Sequence, residues 1–325
     1  MASYALQRLI QAVGVLLAAS VVVFVAVYGI GDPIELLVPP QSSAMERAAL
    51  VHRLGLDLPM WQQYFVFLGH ALQGELGRSF VHGVPAIELI VSRLPATVEL
   101  VVIALTLSVS LGLPLGLLVG LNPQSRGSRL ILAGTLLGYS LPNFWKGMML
   151  ILVFSVLLGW LPTAGRGETM LLLGVPLGIL TSDGLSHLVL PALNLAIPNM
   201  ALMIRLVAVG TTQANAQDYV KYARAKGVRP QRIVRRHILR NILIPVVTVV
   251  GMEFGSLVAF STITETIFAW PGIGKLLIDS IYQLDRPVVV AYILMATLLF
   301  MTVNLLVDLL YAALDPRVRL VEDAA

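Results

Sequence analysis

The residues of this chain that could catalyse a reaction or hold a nucleotide are not arranged as such sites require. A P-loop needs G-x-x-x-x-G-K followed by Ser or Thr, and the sequence contains no such string. The nearest string, G-I-G-K-L at 272–276, lacks the hydroxyl that would hold magnesium. No Ser-His-Asp arrangement points to hydrolysis. The sequence therefore predicts a protein that is neither an ATPase nor a hydrolase by itself.

The histidines likewise show no metal-binding pattern. They are scattered along the sequence and lack the i, i+4 pairing or the carboxylate partners that metal sites use. We interpret them as loop or interface residues, and we expect neither a metal nor another cofactor on this chain. They are His52, His70, His82, His187 and His237.

A further set of polar side chains lies inside apolar stretches, where an ionised group is costly unless it is paired, hydrated or near an interface. In one interpretation, four of these residues belong to a polar passage for a solute: Asn143, Asn194, Asn199 and Glu253. In the other, Lys146 and Arg205 snorkel or pair with Glu253 or Asp308, while the asparagines hydrogen-bond between helices. The residues alone leave both interpretations open. Asn304 completes the set.

The elements that carry these residues are apolar enough to cross a membrane. The chain of 325 residues is 57% hydrophobic and 12% charged, whereas soluble domains are about 45–50% apolar and about 25% charged. A bilayer-spanning helix needs about 20 apolar residues, and six stretches meet that need. They are 9–30, 96–120, 130–160, 188–209, 242–263 and 288–313.

The lengths of the first and third stretches affect how each is interpreted. The first runs without interruption through Val21–Val27 and is too long for the apolar core of a secretory signal, so we expect an uncleaved signal anchor. The third is longer than a perpendicular helix needs and contains Pro142, so we expect it to tilt, to kink or to extend beyond the hydrocarbon.

The basic residues indicate the orientation. With the N-terminus inside, thirteen Lys and Arg lie on the cytoplasmic side and seven on the other, spread over longer connections. The positive-inside rule therefore favours an all-α integral membrane protein with six spans and both termini in the cytoplasm. We divide it into an N-terminal span (1–30), an outer segment (31–94), a five-span core (95–313) containing a cytoplasmic loop (210–241), and a cytoplasmic tail (314–325).

The loop between the fourth and fifth spans is polar, basic and helical in pattern. Strong helix formers at 217–226 precede Gly227, which suits the left-handed residue after a helix, and Pro230 suits the first turn of a second helix. Such a segment is consistent with an anionic-lipid-binding stretch, with a docking element for a cytoplasmic motor, or with a DNA-binding helix-turn-helix. Because both of its ends are tied to spans, DNA binding is disfavoured, and we expect no nucleic-acid partner.

Several strings in order along the chain resemble those of one transporter family. They are D-Y-V-K-Y-A-R-A-K-G at 218–227, H-I-L-R-N at 237–241 with Pro245, L-G-L-D at 54–57, G-E-L-G at 74–77, L-P-N-F-W at 141–145, E-T-I-F-A-W-P-G-I-G at 265–274, and Asp308 with A-L-D-P-R at 313–317. Together they resemble ABC-importer permeases of the dipeptide, oligopeptide and nickel type. The sequence departs from the general pattern in having K-Y-A at 221–223 in place of Glu-Ala-Ala and a longer interval from Gly227 to Pro245.

This resemblance implies a permease subunit that forms half of a translocation pathway for peptides or related small solutes. It implies a second, homologous permease, two cytoplasmic ATPases that carry ATP and magnesium, an external binding protein, and a bacterial or archaeal inner membrane as the location. It also implies that a coupling helix in the loop docks on an ATPase. The residues involved would be Tyr219, Lys221, Tyr222, Ala223, Arg224, Ala225, Lys226 and Gly227.

Other functional classes give different expectations. An ion-gradient-driven secondary transporter would use Glu253 or Asp308 as a proton site, and a membrane enzyme would need a reactive constellation that the sequence lacks. A structural scaffold would transport nothing. Substrate identity stays open among peptides, glutathione, opines and metal chelates.

Overall fold

Helices make up most of the structure, as the hydropathy pattern predicts. The computed structural model describes residues 2–28 and 58–314, with side chains described for residues 8, 10–26 and 58–307. In chain order the elements are α1 (Ala2–Tyr28), α2 (Met60–Leu72), α3 (Ala86–Leu121), α4 (Arg126–Ser140), α5 (Asn143–Leu150) with a π-helical extension (Ile151–Leu157), β1 (Met170–Leu172), β2 (Val175–Leu177), α6 (Ser182–Asn215), α7 (Asp218–Ala225), α8 (Pro230–Ile233) with a π-helical extension (Val234–Ile238), α9 (Leu239–Ile267), α10 (Ile273–Tyr282) and α11 (Arg286–Leu314).

Within residues 2–28 and 58–314, four helices are long and apolar enough to cross a bilayer by themselves. They are α3, α6, the continuous helix from α8 through α9 (Pro230–Ile267), and the part of α11 from Arg286 to Val307. The first apolar stretch forms α1, whose apolar portion, Ile10–Ala26, is shorter. Pro191 and Pro198 lie inside α6 without ending it.

The third predicted span is divided into two helices. α4 and α5 meet at an angle of 107°. The cause is local: Pro142 has no N–H to donate and disfavours the helical conformation for Leu141, which is extended at ψ 133°. The single tilted or kinked helix expected over 130–160 is therefore a sharply bent pair.

Among the described residues, one small β-hairpin interrupts the helical pattern expected of the chain. β1 and β2 pair antiparallel, with Met170 opposite Leu177. The two residues between them, Leu173 and Gly174, have φ of 52° and 82°, and positive φ at both positions is what a tight hairpin turn requires. The prediction of a purely α-helical chain missed this hairpin, because its strands are only three residues long.

The described chain forms two compact units. Of the described residues, the first unit comprises 93–275 and 302–314, and the second comprises 2–28, 58–92 and 276–301. In the second unit, Ser20 Oγ lies 2.9 Å from Tyr64 OH, which joins α1 to α2. The carboxylate of Asp285 accepts from Phe80 N at 3.1 Å and from Ser79 Oγ.

In the first unit, α3 and α6 approach each other along a ladder of glycines. A methyl group at Gly112 would lie 2.8 Å from Met203 Cβ, and one at Gly116 would lie 2.6 Å from Val207 Cβ. Gly120 meets Thr211 in the same way. Small residues four apart allow helix backbones in a membrane to come this close.

Some predictions fall outside the described residues. These are the string at 54–57, the part of the outer segment from 31 to 57, and the tail after Leu314. For Asp308 the structure describes the backbone within α11 but not the side chain.

Candidate functional site

The loop between α6 and α9, termed here the α6–α9 loop (residues 216–238), ends its first helix as the sequence predicts. Gly227 has φ of 74°. Its N–H donates to Arg224 O at 2.9 Å, and Val228 N donates to Ala223 O at 3.1 Å. This pair of hydrogen bonds is the Schellman motif, which satisfies the last carbonyls of α7. Pro230 then occupies the first turn of α8, also as predicted.

Helix α7 has one buried and one exposed side. Val220 and Ala223 are buried in an apolar cluster, whereas Tyr222 is 62% exposed. The cluster is formed with residues of α6, of α9 and of the α6–α9 loop: Met203, Val207, Ala214, Ile233, Ile238, Ile242 and Val246. The short helix is therefore packed against the ends of two long helices.

Two polar contacts add to this packing. Asn241 Nδ2 of α9 donates to Tyr219 OH at 2.6 Å. On the other side, Arg224 Nη2 donates to Asn215 Oδ1 at the end of α6. Displacing α7 therefore requires breaking contacts to both long helices or moving those helices with it.

The remaining charged side chains of α7 interact within the helix. Lys221 Nζ donates to Asp218 Oδ1 at 2.9 Å, and this hydrogen bond, with the charge of the ammonium, holds the pKa of Asp218 below its usual range. Lys226 Nζ lies 4.6 Å from the centroid of the Tyr222 ring. Because the pKa of Asp218 is lowered on folding, the contribution of this pair is present at neutral pH and is lost as the pH falls through the folded-state pKa.

The four residues predicted for a polar passage are in different surroundings. Asn194 is fully buried and donates from Nδ2 to Thr264 Oγ1 of α9 at 3.0 Å, while its Oδ1 has no partner in the described part of the chain. Asn199 bonds within α6, to Leu195 O at 3.2 Å. Asn143 begins α5. Between residues 58 and 307, no hydrogen bond joins any two of these three and Glu253.

The two cations within the apolar stretches are not paired with Glu253. Lys146 is buried, and its Nζ donates to Gly138 O at 2.9 Å. The guanidinium of Arg205 lies 5.1 Å from the centroid of the Tyr139 ring. Both cations therefore interact with α4, through a carbonyl and an aromatic face. The pairing with Glu253, one of the alternatives left open by the sequence, is not formed. The Asp308 side chain lies outside the described residues.

A buried carboxylate that the sequence analysis did not single out joins three helices. Glu265, at the end of α9, is fully buried. Its Oε1 accepts from Thr97 Oγ1 of α3 at 2.7 Å, and its Oε2 accepts from Lys275 N of α10 at 2.9 Å. Thr97 Oγ1 in turn accepts from Ile273 N at 2.9 Å. Glu265 and Thr97 thereby cap the N-terminus of α10, whose first N–H groups have no partners within the helix.

The turn before α10 is shaped around the same carboxylate. A Cβ at Gly272 would collide with the Glu265 carboxyl group. Trp270 is fully buried, and its Nε1 donates to Ala96 O at 2.9 Å. The string at 265–274, recognised only as a resemblance, therefore has a structural cause. Its acid, tryptophan and glycine build one capped turn.

A second missed group is an ion pair. Arg166 donates to Glu99 Oε2 through Nε at 3.1 Å and through Nη2 at 2.6 Å, and Glu99 Oε1 accepts from Ile179 N at 2.9 Å.

A separate contact involves a histidine of α6. His187 Nδ1 lies 3.6 Å from Asp183 Oδ1, one helical turn away. His187 Nδ1 is also 2.9 Å from Asp183 O. This carboxylate neighbour at i, i+4 spacing is a local pair that the sequence analysis missed, and one such pair is not a metal site.

The chain is similar to known transport proteins over nearly its full length. Residues 112–320 match the family "Binding-protein-dependent transport system inner membrane component", and residues 1–101 match its N-terminal companion family. The chain is 38% identical over 320 residues to the oligopeptide transport system permease protein AppB of Bacillus subtilis (strain 168), covering 98% of this chain and 99% of that one. It is 36% identical over 336 residues to the dipeptide transport system permease protein DppB of Escherichia coli (strain K12), with the same coverage.

Two further proteins are similar to this chain, one in sequence and one in fold. The glutathione transport system permease protein GsiC of Escherichia coli (strain K12) is 37% identical over 320 residues, covering 98% of this chain and 99% of that one. A chain of the inward-facing MetNI methionine ABC transporter superposes with a TM-score of 0.55 at 18% identity, covering 70% of this chain and 97% of that one. At that identity, the likeness concerns the fold alone.

Proposed function

This chain belongs to the family of binding-protein-dependent transport system inner membrane components, and on that premise we propose that it forms half of a translocation pathway for peptides or related small solutes. As a member of this family it is a multi-pass membrane protein, the permease component of an ABC importer, without an ATPase site of its own. The family membership favours this function over an ion-driven secondary transporter.

The proposed substrate class follows from the relatives. Permeases named for oligopeptides, dipeptides and glutathione all align with this chain over 98% of its length. These solutes share peptide bonds and ionised termini, so a pathway for any of them has to accept amide and charged groups. We propose dipeptides, oligopeptides or glutathione-like compounds as the cargo, delivered by an external binding protein.

We propose six spans with both termini in the cytoplasm of a bacterial cell. The four long helices, the bent pair of α4 and α5, and α1 supply six apolar elements. The thirteen basic residues assigned to the inner side, eight of them between Lys221 and Arg240, support the orientation. The α6–α9 loop then lies in the cytoplasm.

Within that orientation, α7 is the proposed coupling helix. Its exposed side offers Tyr219, Tyr222 and Arg224, with Lys221, Ala225 and Lys226 beside them, to a partner surface. Its buried side and its two polar contacts connect it to α6 and α9. A partner that moves α7 would therefore move both spans. The proposed partners are two cytoplasmic ATPases, which bind ATP and magnesium, and a second homologous permease; membrane lipid surrounds the spans, and this chain binds no cofactor.

The contacts between α7 and the two long helices are the observation that supports this proposal. A substitution at Gly227 can test it. Gly227→Val forces a β-branched residue into a left-handed conformation, although nothing lies within 4 Å of the new Cβ. We expect ATP-driven peptide uptake by the complex that co-purifies with the tagged chain to fall on the order of tenfold, with ATP hydrolysis no longer stimulated by peptide. The measurement is uptake into proteoliposomes beside ATPase rate.

Gly74→Val is the matched control. Gly74 also has positive φ (82°) and nothing within 4 Å of an added Cβ, but it follows α2 in the outer segment. It should leave coupling intact. If Gly227→Val imports peptide at the rate of the unmodified complex, or if both variants lose uptake equally, the proposed role of the α7 turn is wrong.

We also propose that Asn143, Asn199 and Glu253 line the solute route. Asn194, predicted with them, is fully buried and joins α6 to α9 through Thr264. Glu253 supports the proposed route most directly, because it is half-buried within α9 and no hydrogen bond or ion pair is found for it among residues 58–307. Glu253→Gln should raise the KM for lysine-containing peptides several-fold relative to norleucine-containing ones, since the variant cannot carry a negative charge. Glu88→Gln, at an exposed acid near the start of α3, should leave that ratio unchanged. An unchanged ratio in Glu253→Gln would exclude the side chain from the route.

A further inference from the structure

A strongly basic groove lies on the α6–α9 loop and the start of α9. It has a volume of about 980 Å³ and is widely open to its surroundings. Six of its lining residues are cationic, and all six side chains are exposed. We term this surface the basic groove; its cations are Lys226, Arg229, Arg232, Arg235, Arg236 and Arg240.

The five arginines of the basic groove have no anionic partner among the described residues. Three of them, Arg232, Arg236 and Arg240, follow one another at intervals of four along a continuous helical segment. Like charges at this spacing repel each other and destabilise a helix. Without an external anion, the arrangement is electrostatically unfavourable, so binding of an anion would stabilise it.

The basic groove borders an apolar surface on the same helix. Arg240 is followed at i+3 and i+7 by Leu243 and Val247, which are 40% and 41% exposed, and residues so spaced share a helix face. Leu243 also lines the groove itself. Because the helix from Pro230 to Ile267 is long and apolar enough to cross a bilayer, this change from arginine to aliphatic side chains matches the boundary between headgroups and hydrocarbon.

We propose that the basic groove binds the phosphate headgroups of anionic phospholipids, with the acyl chains lying along Leu243 and Val247. The forked guanidinium groups of arginine suit phosphate oxygens. In the proposed topology these lipids belong to the inner leaflet, and the inference rests on the proposed function only for that assignment. A soluble acidic partner would satisfy the cations but would leave the adjoining aliphatic face uncovered, so the combination of the two surfaces favours lipid.

The test is lipid binding by the purified full-length chain. Fluorescent phosphatidylglycerol is titrated into the protein held in phosphatidylcholine nanodiscs. The binding affinity of the double variant Arg236→Gln/Arg240→Gln is compared with that of the unmodified protein. We expect affinity to fall about fivefold for each arginine removed, hence about 25-fold for the pair. Arg236→Lys/Arg240→Lys keeps the charge but lacks the fork, so it should bind more weakly than the unmodified protein and more tightly than Arg236→Gln/Arg240→Gln. High salt should weaken binding by the unmodified protein.

Arg126→Gln/Arg129→Gln is the matched control. These two arginines are also exposed and are assigned to the same side of the membrane, but they lie at the start of α4, outside the groove. Their loss should change phosphatidylglycerol affinity less than about threefold. Equal losses in the two pairs would show that net charge alone acts, which overturns the proposed site.

A third measurement distinguishes a lipid-binding site from a protein-docking surface. If Arg236→Gln/Arg240→Gln keeps its phosphatidylglycerol affinity but no longer co-purifies with ATPase subunits, the groove is a protein-docking surface and the lipid proposal is overturned. A loss of lipid affinity with intact uptake by the complex would support the lipid site while leaving the coupling proposal untouched. Thermal midpoints of all variants by size exclusion verify that each is folded.

Discussion

Glu265→Ala is expected to lower the thermal midpoint of the purified chain on the order of 10 °C, or to prevent recovery of monodisperse protein. The substitution leaves Thr97 Oγ1 and Lys275 N without their buried acceptor, and each buried donor left unsatisfied costs about 1–3 kcal/mol. Stabilities of folded proteins are about 5–15 kcal/mol, so the loss is a large fraction of the total. Fluorescence-detected size exclusion after heating measures it.

The control for this variant lies on the same helix. Glu253 is only half-buried, and the structure gives it no hydrogen-bond or ion-pair partner between residues 58 and 307. Glu253→Ala should therefore stay within a few degrees of the unmodified chain. If Glu265→Ala were as heat-resistant as Glu253→Ala, the capping of α10 by Glu265 would have no energetic importance.

Gly116→Ala is expected to destabilise the chain, although exchanging glycine for alanine usually stabilises a helix by about 1 kcal/mol. The added methyl would lie 2.6 Å from Val207 Cβ and 2.8 Å from Ile204 O. The carbonyl belongs to the α6 backbone and cannot turn away, so the helices must separate. Overpacking of this kind costs about 1–3 kcal/mol, and Gly116→Leu should cost more.

Gly134→Ala should show the opposite sign. Gly134 lies in α4, and nothing is within 4 Å of an added Cβ. Its replacement should leave the thermal midpoint unchanged or raise it slightly, because only the intrinsic helix preference acts. A Gly116→Ala protein that melts together with Gly134→Ala would mean that α3 and α6 do not pack this closely.

Local chemistry explains which features could be predicted from the sequence. Gly227 and Pro230 specify the end of one helix and the start of the next within a few residues, so that turn was predictable. Pro142 likewise indicated a disturbance of its helix. The size of the bend was not predictable, because 107° depends on what the two halves pack against.

The missed contacts are long-range in sequence. Glu265 and Thr97 are 168 residues apart, and Glu99 and Arg166 are 67 apart. Each residue alone resembles an ordinary polar residue near the end of an apolar stretch. No periodicity or spacing connects such partners, so only the folded chain identifies them. His187 differs, since its partner one helical turn away was visible in the sequence and was overlooked.

The ladder of glycines between α3 and α6 has a practical consequence for measuring motion. Two helices whose backbones touch through Gly112 and Gly116 cannot slide without steric collision, so spin labels placed on their outer faces should keep one sharp distance throughout a transport cycle. The distance between these two labels therefore serves as a constant reference. A third label on α5, beyond the bend at Leu141, would then report the displacement of α5 relative to α3 and α6. Tumbling of the whole molecule would not affect these distances.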